Sequence, residues 1–182
     1  NKMRNIYQSL TILFFIISFN GFSQVDTDGD GINDDVDNCP LISNSTSVQN
    51  FITADLMAYS VKVDSLDYIY VGDRNNNRVV KYNSTGTEYT VVAGGSSGSG
   101  ADQLDGPDGI ALDASGNIYI ADFFNDRIQK WLPGATSGVT VAGGNGMGSS
   151  ANKLNSPNGV VLDDKDNIYI ADWGNGRVQK WA

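Results

Sequence analysis

After residue 55 the chain alternates apolar and polar residues over short stretches, and the same stretches return at a fixed interval. The segments YSVKVDSLDYIYVGDRNNNRVVKY from Tyr59, DGIALDASGNIYIADFFNDRIQKW from Asp108 and NGVVLDDKDNIYIADWGNGRVQKW from Asn158 align throughout. Asp73, Asp122 and Asp172 hold the same place in them, 49 and 50 residues apart. Each repeat contains four β-prone stretches separated by turn residues. In the second these are Gly109 to Asp113, Asn117 to Asp122, Arg127 to Leu132 and Gly138 to Ala142. Linkers as short as Ala-Ser-Gly or Phe-Phe-Asn-Asp leave consecutive strands no choice but to run antiparallel.

A period of this length means one supersecondary unit per repeat, and four-stranded antiparallel units of roughly 40–50 residues read as β-propeller blades. The predicted fold is therefore all-β: a partial β-propeller of about two and a half four-stranded blades, with units near residues 55–105, 106–155 and 156–182. The third unit supplies three strands before Ala182, so we expect the N-terminal piece of a longer protein, an open arc whose blade edges offer contacts to other molecules. Ile118, Ile120, Ile168 and Ile170 should fill the space between blades, and Tyr82, Trp131 and Trp181 should do the same or cover blade edges. Asp73, Asp122 and Asp172 end a strand, where a carboxylate can accept N–H groups of the following turn. Asn76, Asn125 and Asn175 suit a left-handed turn position. Arg78, Arg127 and Arg177 begin the next strand, within reach of the Asp or of a neighbouring blade. Roles repeated once per unit point to architecture, because an active site needs an asymmetric constellation. No non-repeated acid or amide at a strand start stands out in the sequence.

The first 55 residues follow a different pattern. Lys2 and Arg4 precede the apolar run Leu10 to Phe19, and Gly21 and Ser23 place small residues before Gln24. That order predicts a secretory signal peptide over residues 1–23, helical while it lasts, with an uncleaved anchor or a buried helix as the alternative. The run is about half of the ~20 apolar residues a bilayer span needs, so no stable membrane span is expected after cleavage. Residues 24–50 form a separate segment with six Asp and no base. Asp26, Asp28, Asp30, Gly31, Asp34 and Asp37 match a twelve-residue calcium loop, D-x-D-x-D-G-x5-[DE]. Carboxylates at positions 1, 3 and 5 converge only where the chain turns sharply after them, which Gly31 permits. The expected calcium ligands are Asp26, Asp28, Asp30, the Ile32 carbonyl, Asp34 directly or through water, and Asp37. A solvated acidic linker is the alternative.

The continuation Asp37-Asn38-Cys39-Pro40 makes residues 26–44 resemble a thrombospondin type 3 repeat, an extracellular calcium module. Such repeats run in tandem and are tied by disulfides, whereas this chain has one unit, and Cys39 has no cysteine to pair with in the chain. Cys39 is then a free thiol or an intermolecular contact. The repeated residues Pro-x-Gly-[IV]-x-Leu-Asp, Asn-Ile-Tyr-Ile-Ala-Asp and x-x-Asn-x-Arg-[IV]-Gln-Lys-Trp make residues 59–182 resemble the NHL repeat family. The resemblance implies a propeller, usually of six blades, serving mainly as a rigid scaffold for proteins and in some members for RNA, glycans or small molecules.

Charge and composition then narrow the function. The net charge of −9 divides into +2 on the leader, −6 on the calcium loop segment and −5 on the repeats, which disfavours nucleic acid as a partner. With no His, the chain has no Ser-His-Asp triad and no His-ligated zinc. The loop GGNGMG at Gly143 to Gly148 lacks both the spacing and the following helix of a nucleotide site; as a long connection between blades it is a better candidate for a binding rim. The sequons at Asn44 and Asn83 matter only in a cell that glycosylates exported proteins. The reading that follows is a secreted or cell-surface binding or scaffold module for an extracellular protein or carbohydrate, with a calcium-stabilised stalk. The alternative is a fragment of a six-bladed lactonase- or lyase-like enzyme with catalytic residues in blades beyond these.

Overall fold

The computed structural model describes residues 56–182; the leader and the calcium loop, with Asp26, Asp28, Asp30, Ile32, Asp34, Asp37 and Cys39, lie outside the described residues. Eleven strands follow one another: β1 (Ala58–Val63), β2 (Ile69–Asp73), β3 (Arg78–Tyr82), β4 (Tyr89–Gly94), β5 (Pro107–Leu112), β6 (Ile118–Asp122), β7 (Arg127–Trp131), β8 (Val139–Gly143), β9 (Pro157–Leu162), β10 (Ile168–Asp172) and β11 (Arg177–Trp181). They form two four-stranded sheets, β1-β2-β3-β4 and β5-β6-β7-β8, and one three-stranded sheet, β9-β10-β11, each antiparallel and in chain order. These are the predicted blades, and the strand limits in the second unit differ from the sequence reading by one or two residues.

Register explains why every second residue is apolar on both faces. In the middle blade Ile118 pairs with Trp131 and with Leu112, and Ile120 with Gln129 and Ile110, so these share one face. That face packs on Tyr70, Val79, Ala93 and Leu104 of the first unit. The intervening residues, Ala111, Tyr119, Ala121 and Ile128, point the other way and pack on Val160, Ile168 and Ile170 of the third. Ile118, Ile120, Ile168 and Ile170 thus lie between blades, as their spacing predicted. A sheet buried on both faces has no solvent side, and its buried acids Asp108 and Asp122 sit at or next to strand ends, while Gln129 is buried in the middle of β7.

The first strands of neighbouring blades approach closely. A Cβ on Gly109 would come within 2.8 Å of the Asn158 carbonyl oxygen and of Gly159 Cα, so β5 and β9 meet at a distance that only glycine allows. The glycine-rich connections between blades are held down as well: their Leu104 and Leu154 are wholly buried.

Candidate binding face on a repeated strand-end frame

Each second strand ends in an Asp followed by a single-turn 3-10 segment, at 74–76, 123–125 and 173–175. The three carboxylates are completely buried. Each accepts from three kinds of donor. Arg Nε of the next strand lies 2.8 Å (Arg78 to Asp73), 2.7 Å (Arg127 to Asp122) and 2.7 Å (Arg177 to Asp172) away. The Asn three residues on donates its side-chain amide at 2.8, 2.9 and 2.9 Å. The third donor is a main-chain N–H, and it differs from the sequence reading: it comes from Met57, Asp105 or Asn155, just ahead of each blade's first strand, and not from the following turn. The left-handed residue is likewise the one after the Asn: Asn77, Asp126 and Gly176, with φ of 50°, 53° and 61°.

The arginines reach two ways, as the sequence allowed. Beyond its Asp, Arg127 donates to the carbonyls of Ser99 at 2.8 Å and of Gly100 and Gln103 at 3.0 Å. Arg177 repeats this with Ser149, Ser150 and Lys153. The long connections, the sequence's candidate for a binding rim, are fastened at their backbone by these guanidinium groups. Surroundings decide how each carboxylate titrates. Burial between two blades pushes Asp122 above the ordinary carboxylate value despite its donors. At Asp172 burial also acts upward, but donors from Asn175, the Asn155 N–H, Arg177 and Gln179 outweigh it and hold the carboxyl low.

On this repeated frame sits a set of side chains that does not repeat. The residue after the Asp is Arg74, Phe123 or Trp173; the next is Asn75, Phe124 or Gly174; the matching place on the first strand is Tyr59, Asp108 or Asn158. Arg74 Nη1 pairs with Asp108 Oδ1 across the junction of the first two blades. Its guanidinium lies 4.6 Å from the ring centroid of Tyr59, 4.5 Å from Phe123 and 5.1 Å from Phe124, filling a three-ring cage. Phe123 meets Phe124 edge-on at 5.0 Å and Trp173 at 6.0 Å, so the rings join the second and third blades, and Arg74 links them to Tyr59 of the first. Tyr59, Phe124 and Trp173 nonetheless remain 56%, 60% and 65% exposed. Burial raises the Asp108 carboxyl, with Arg74 offsetting part of that rise. Asp108 is the non-repeated acid at a strand start that the sequence did not single out. Its signal was there, since Tyr59 and Asn158 occupy the same column, but its partner is 34 positions away in another repeat.

Among the described residues no group of three or more His, Cys, Asp or Glu is placed to hold a metal, and no helix is long and apolar enough to cross a membrane. The fold and its face define the class: stacked propeller blades with a repeated structural frame and a non-repeated surface. Two NHL repeats are matched at residues 104–131 and 154–181, and a thrombospondin type 3 repeat at 24–47. No curated protein matches the chain. Among solved structures it resembles a protein of unknown function from Bacteroides thetaiotaomicron VPI-5482, with 23% identity, 63% of this chain and 32% of that one covered, and a TM-score of 0.55. An auxiliary nutrient binding protein from the same organism matches with 20% identity over 66% of this chain and 36% of that one, TM-score 0.52. A streptogramin B lyase matches with 20% identity over 71% and 41%, TM-score 0.51. The chain spans about a third to two fifths of the length of these proteins, and at such identities the likeness shows the fold alone.

Proposed function

We propose that this chain is part of an exported binding or scaffold module. Its NHL blades present a ligand face made of Tyr59, Arg74, Asp108, Phe123, Phe124 and Trp173, and its acidic loop takes up calcium to stiffen the segment ahead of the blades. The observation that carries the reading is the contrast between frame and face: the Asp-Asn-Arg set is the same in every unit, while the side chains above it differ in each and leave large rings exposed. Exposed aromatics grouped on one face are the usual anchors of a binding surface. The ligand is an extracellular protein or a carbohydrate. A ligand-binding role is in keeping with the name of the auxiliary nutrient binding protein that shares the fold.

The calcium part rests on the donor set. Five carboxylates and one backbone carbonyl are all hard oxygen ligands, the set that suits calcium. The family match over residues 24–47 supports it. Calorimetric titration of the full chain with Ca²⁺ should give a dissociation constant of roughly 10⁻⁴ to 10⁻³ M, and an Asp28→Asn, Asp30→Asn double variant should lose that heat. No heat up to several millimolar contradicts the site. For the face, the chain should be screened against panels of extracellular proteins and glycans beside the Phe124→Ala, Trp173→Ala double variant. A ligand whose affinity falls at least tenfold in the variant supports the assignment. One that binds both equally well moves the ligand elsewhere.

A further inference from the structure

The third unit departs from the second in a way that builds a different local surface. In the second unit the Phe124 ring lies against Gly106, where an added Cβ would come within 2.6 Å of its Cδ2. The counterparts in the third unit are Gly174 and Ser156. With no side chain at 174, the amide of Asn155 takes that place: a Cβ on Gly174 would meet its Cγ at 2.4 Å, its Oδ1 at 2.5 Å and its Nδ2 at 2.6 Å. Asn155 is fixed there from two sides, its N–H donating to Asp172 Oδ1 at 2.7 Å and its carbonyl accepting the Gly174 N–H at 2.8 Å. Its Oδ1 accepts from Ser156 Oγ at 3.3 Å, while its Nδ2 has no hydrogen bond among the described residues. The adjoining residue is Trp173, 65% exposed. The third unit thus sets a primary amide beside an outward-facing indole.

We infer that this surface, resting on the binding-face reading above, takes a neutral carbohydrate, with a pyranose ring stacked on Trp173 and a hydroxyl accepting from Asn155 Nδ2. The face of an aromatic ring is negative, and the C–H groups on one face of a pyranose are weakly positive, so the two attract while water is expelled from both. The equatorial hydroxyls then point sideways, where a neighbouring amide can donate to them. Other ligand chemistries fit less well. A cationic ligand needs several rings round one point, and the three-ring cage here is already filled by Arg74. An anionic ligand needs a free cation, and Arg74 is committed to Asp108 on a face with no other charged side chain in those nine repeat positions. Phe124, 60% exposed and joined to Trp173 through Phe123, offers a second ring for a longer chain of sugars.

The test is affinity electrophoresis and calorimetry of the full chain against four neutral polysaccharides, soluble starch, xylan, galactomannan and mixed-linkage β-glucan, with a polyuronate as the acidic comparison. The expected result is binding to at least one neutral polymer. That binding should fall at least tenfold in Trp173→Ala and severalfold in Asn155→Ala, with thermal melting of Trp173→Ala unchanged. Tryptophan emission should shift to the blue on binding, because Trp173 is the most exposed of the described tryptophans. Absence of binding to every neutral polymer overturns the carbohydrate assignment. If a protein ligand is then found and lost in Trp173→Ala, the binding face stands without it. Neutral-polymer binding that Trp173→Ala leaves intact overturns both the stacking role and the location.

Discussion

At the scale of single residues, Asp122 and a second group of acids, which closes turns, respond to their surroundings in opposite ways. Asp122 is buried between two blades with Arg127, itself only 7% exposed, so removing the carboxylate leaves a guanidinium charge without its counter-ion. Asp122→Ala should therefore cost about 3–5 kcal/mol in urea unfolding. The second group, Asp64, Asp113 and Asp163, closes the turn after each first strand by accepting two main-chain N–H groups and a tyrosine hydroxyl. At Asp163 the Asn167 amide leads in lowering the carboxyl from 3.8 to about 2, and Asp64 and Asp113 are lowered too. A depressed carboxylate adds stability that is complete above its ordinary value and lost as pH falls through its folded value. The melting temperature should thus drop between about pH 4 and pH 2, and Asp163→Asn should flatten part of that slope, a result read directly from melts across that range. The Asp-to-Arg pairing was legible in the sequence because both residues recur five positions apart. The main-chain donors were not, because they arrive from 16 or 17 residues upstream. Arg74 and Asp108 were missed for a related reason: a pair that occurs once, in columns where the other repeats carry Phe and Trp or Tyr and Asn, looks like variation until the blades are set side by side.

Between elements, the same position is worth different amounts in different blades. Ile128 and Val178 align, yet Ile128 is wholly buried against the third blade and Val178 is 72% exposed. Ile128→Ala should cost about 2–5 kcal/mol, whereas Val178→Ala should fall within about 0.5 kcal/mol. Equal losses in paired urea titrations would contradict the stacking described here. Period-two patterning made the blade faces legible, since alternate residues on β6 point to opposite neighbours. The first unit was the harder case: only the second and third are matched as NHL repeats, and Val80 stands where the others have Gln129 and Gln179. It still forms a four-stranded blade, because its strand pattern and its Asp-Asn-Arg frame are intact.

For the molecule as a whole, repetition and its interruption carry different information. The repeated residues define the scaffold, and the sequence revealed them through their spacing. The non-repeated ones define the surface, and only the adjacency of blades shows that Tyr59, Arg74, Asp108, Phe123, Phe124 and Trp173 lie together. The long connections, expected as a candidate binding rim, are also straps: Leu104 and Leu154 plug the seams between blades while Arg127 and Arg177 hold the carbonyls. The central claim is that ligand binds on this face, and hydrogen exchange of the full chain with and without the polysaccharide that binds most tightly tests it most directly. The account predicts added protection in peptides spanning 105–108, 123–126, 155–158 and 173–176, with the blade interiors unchanged. Protection confined to the opposite ends of the strands, around 64–68, 83–88 and 113–117, would contradict it.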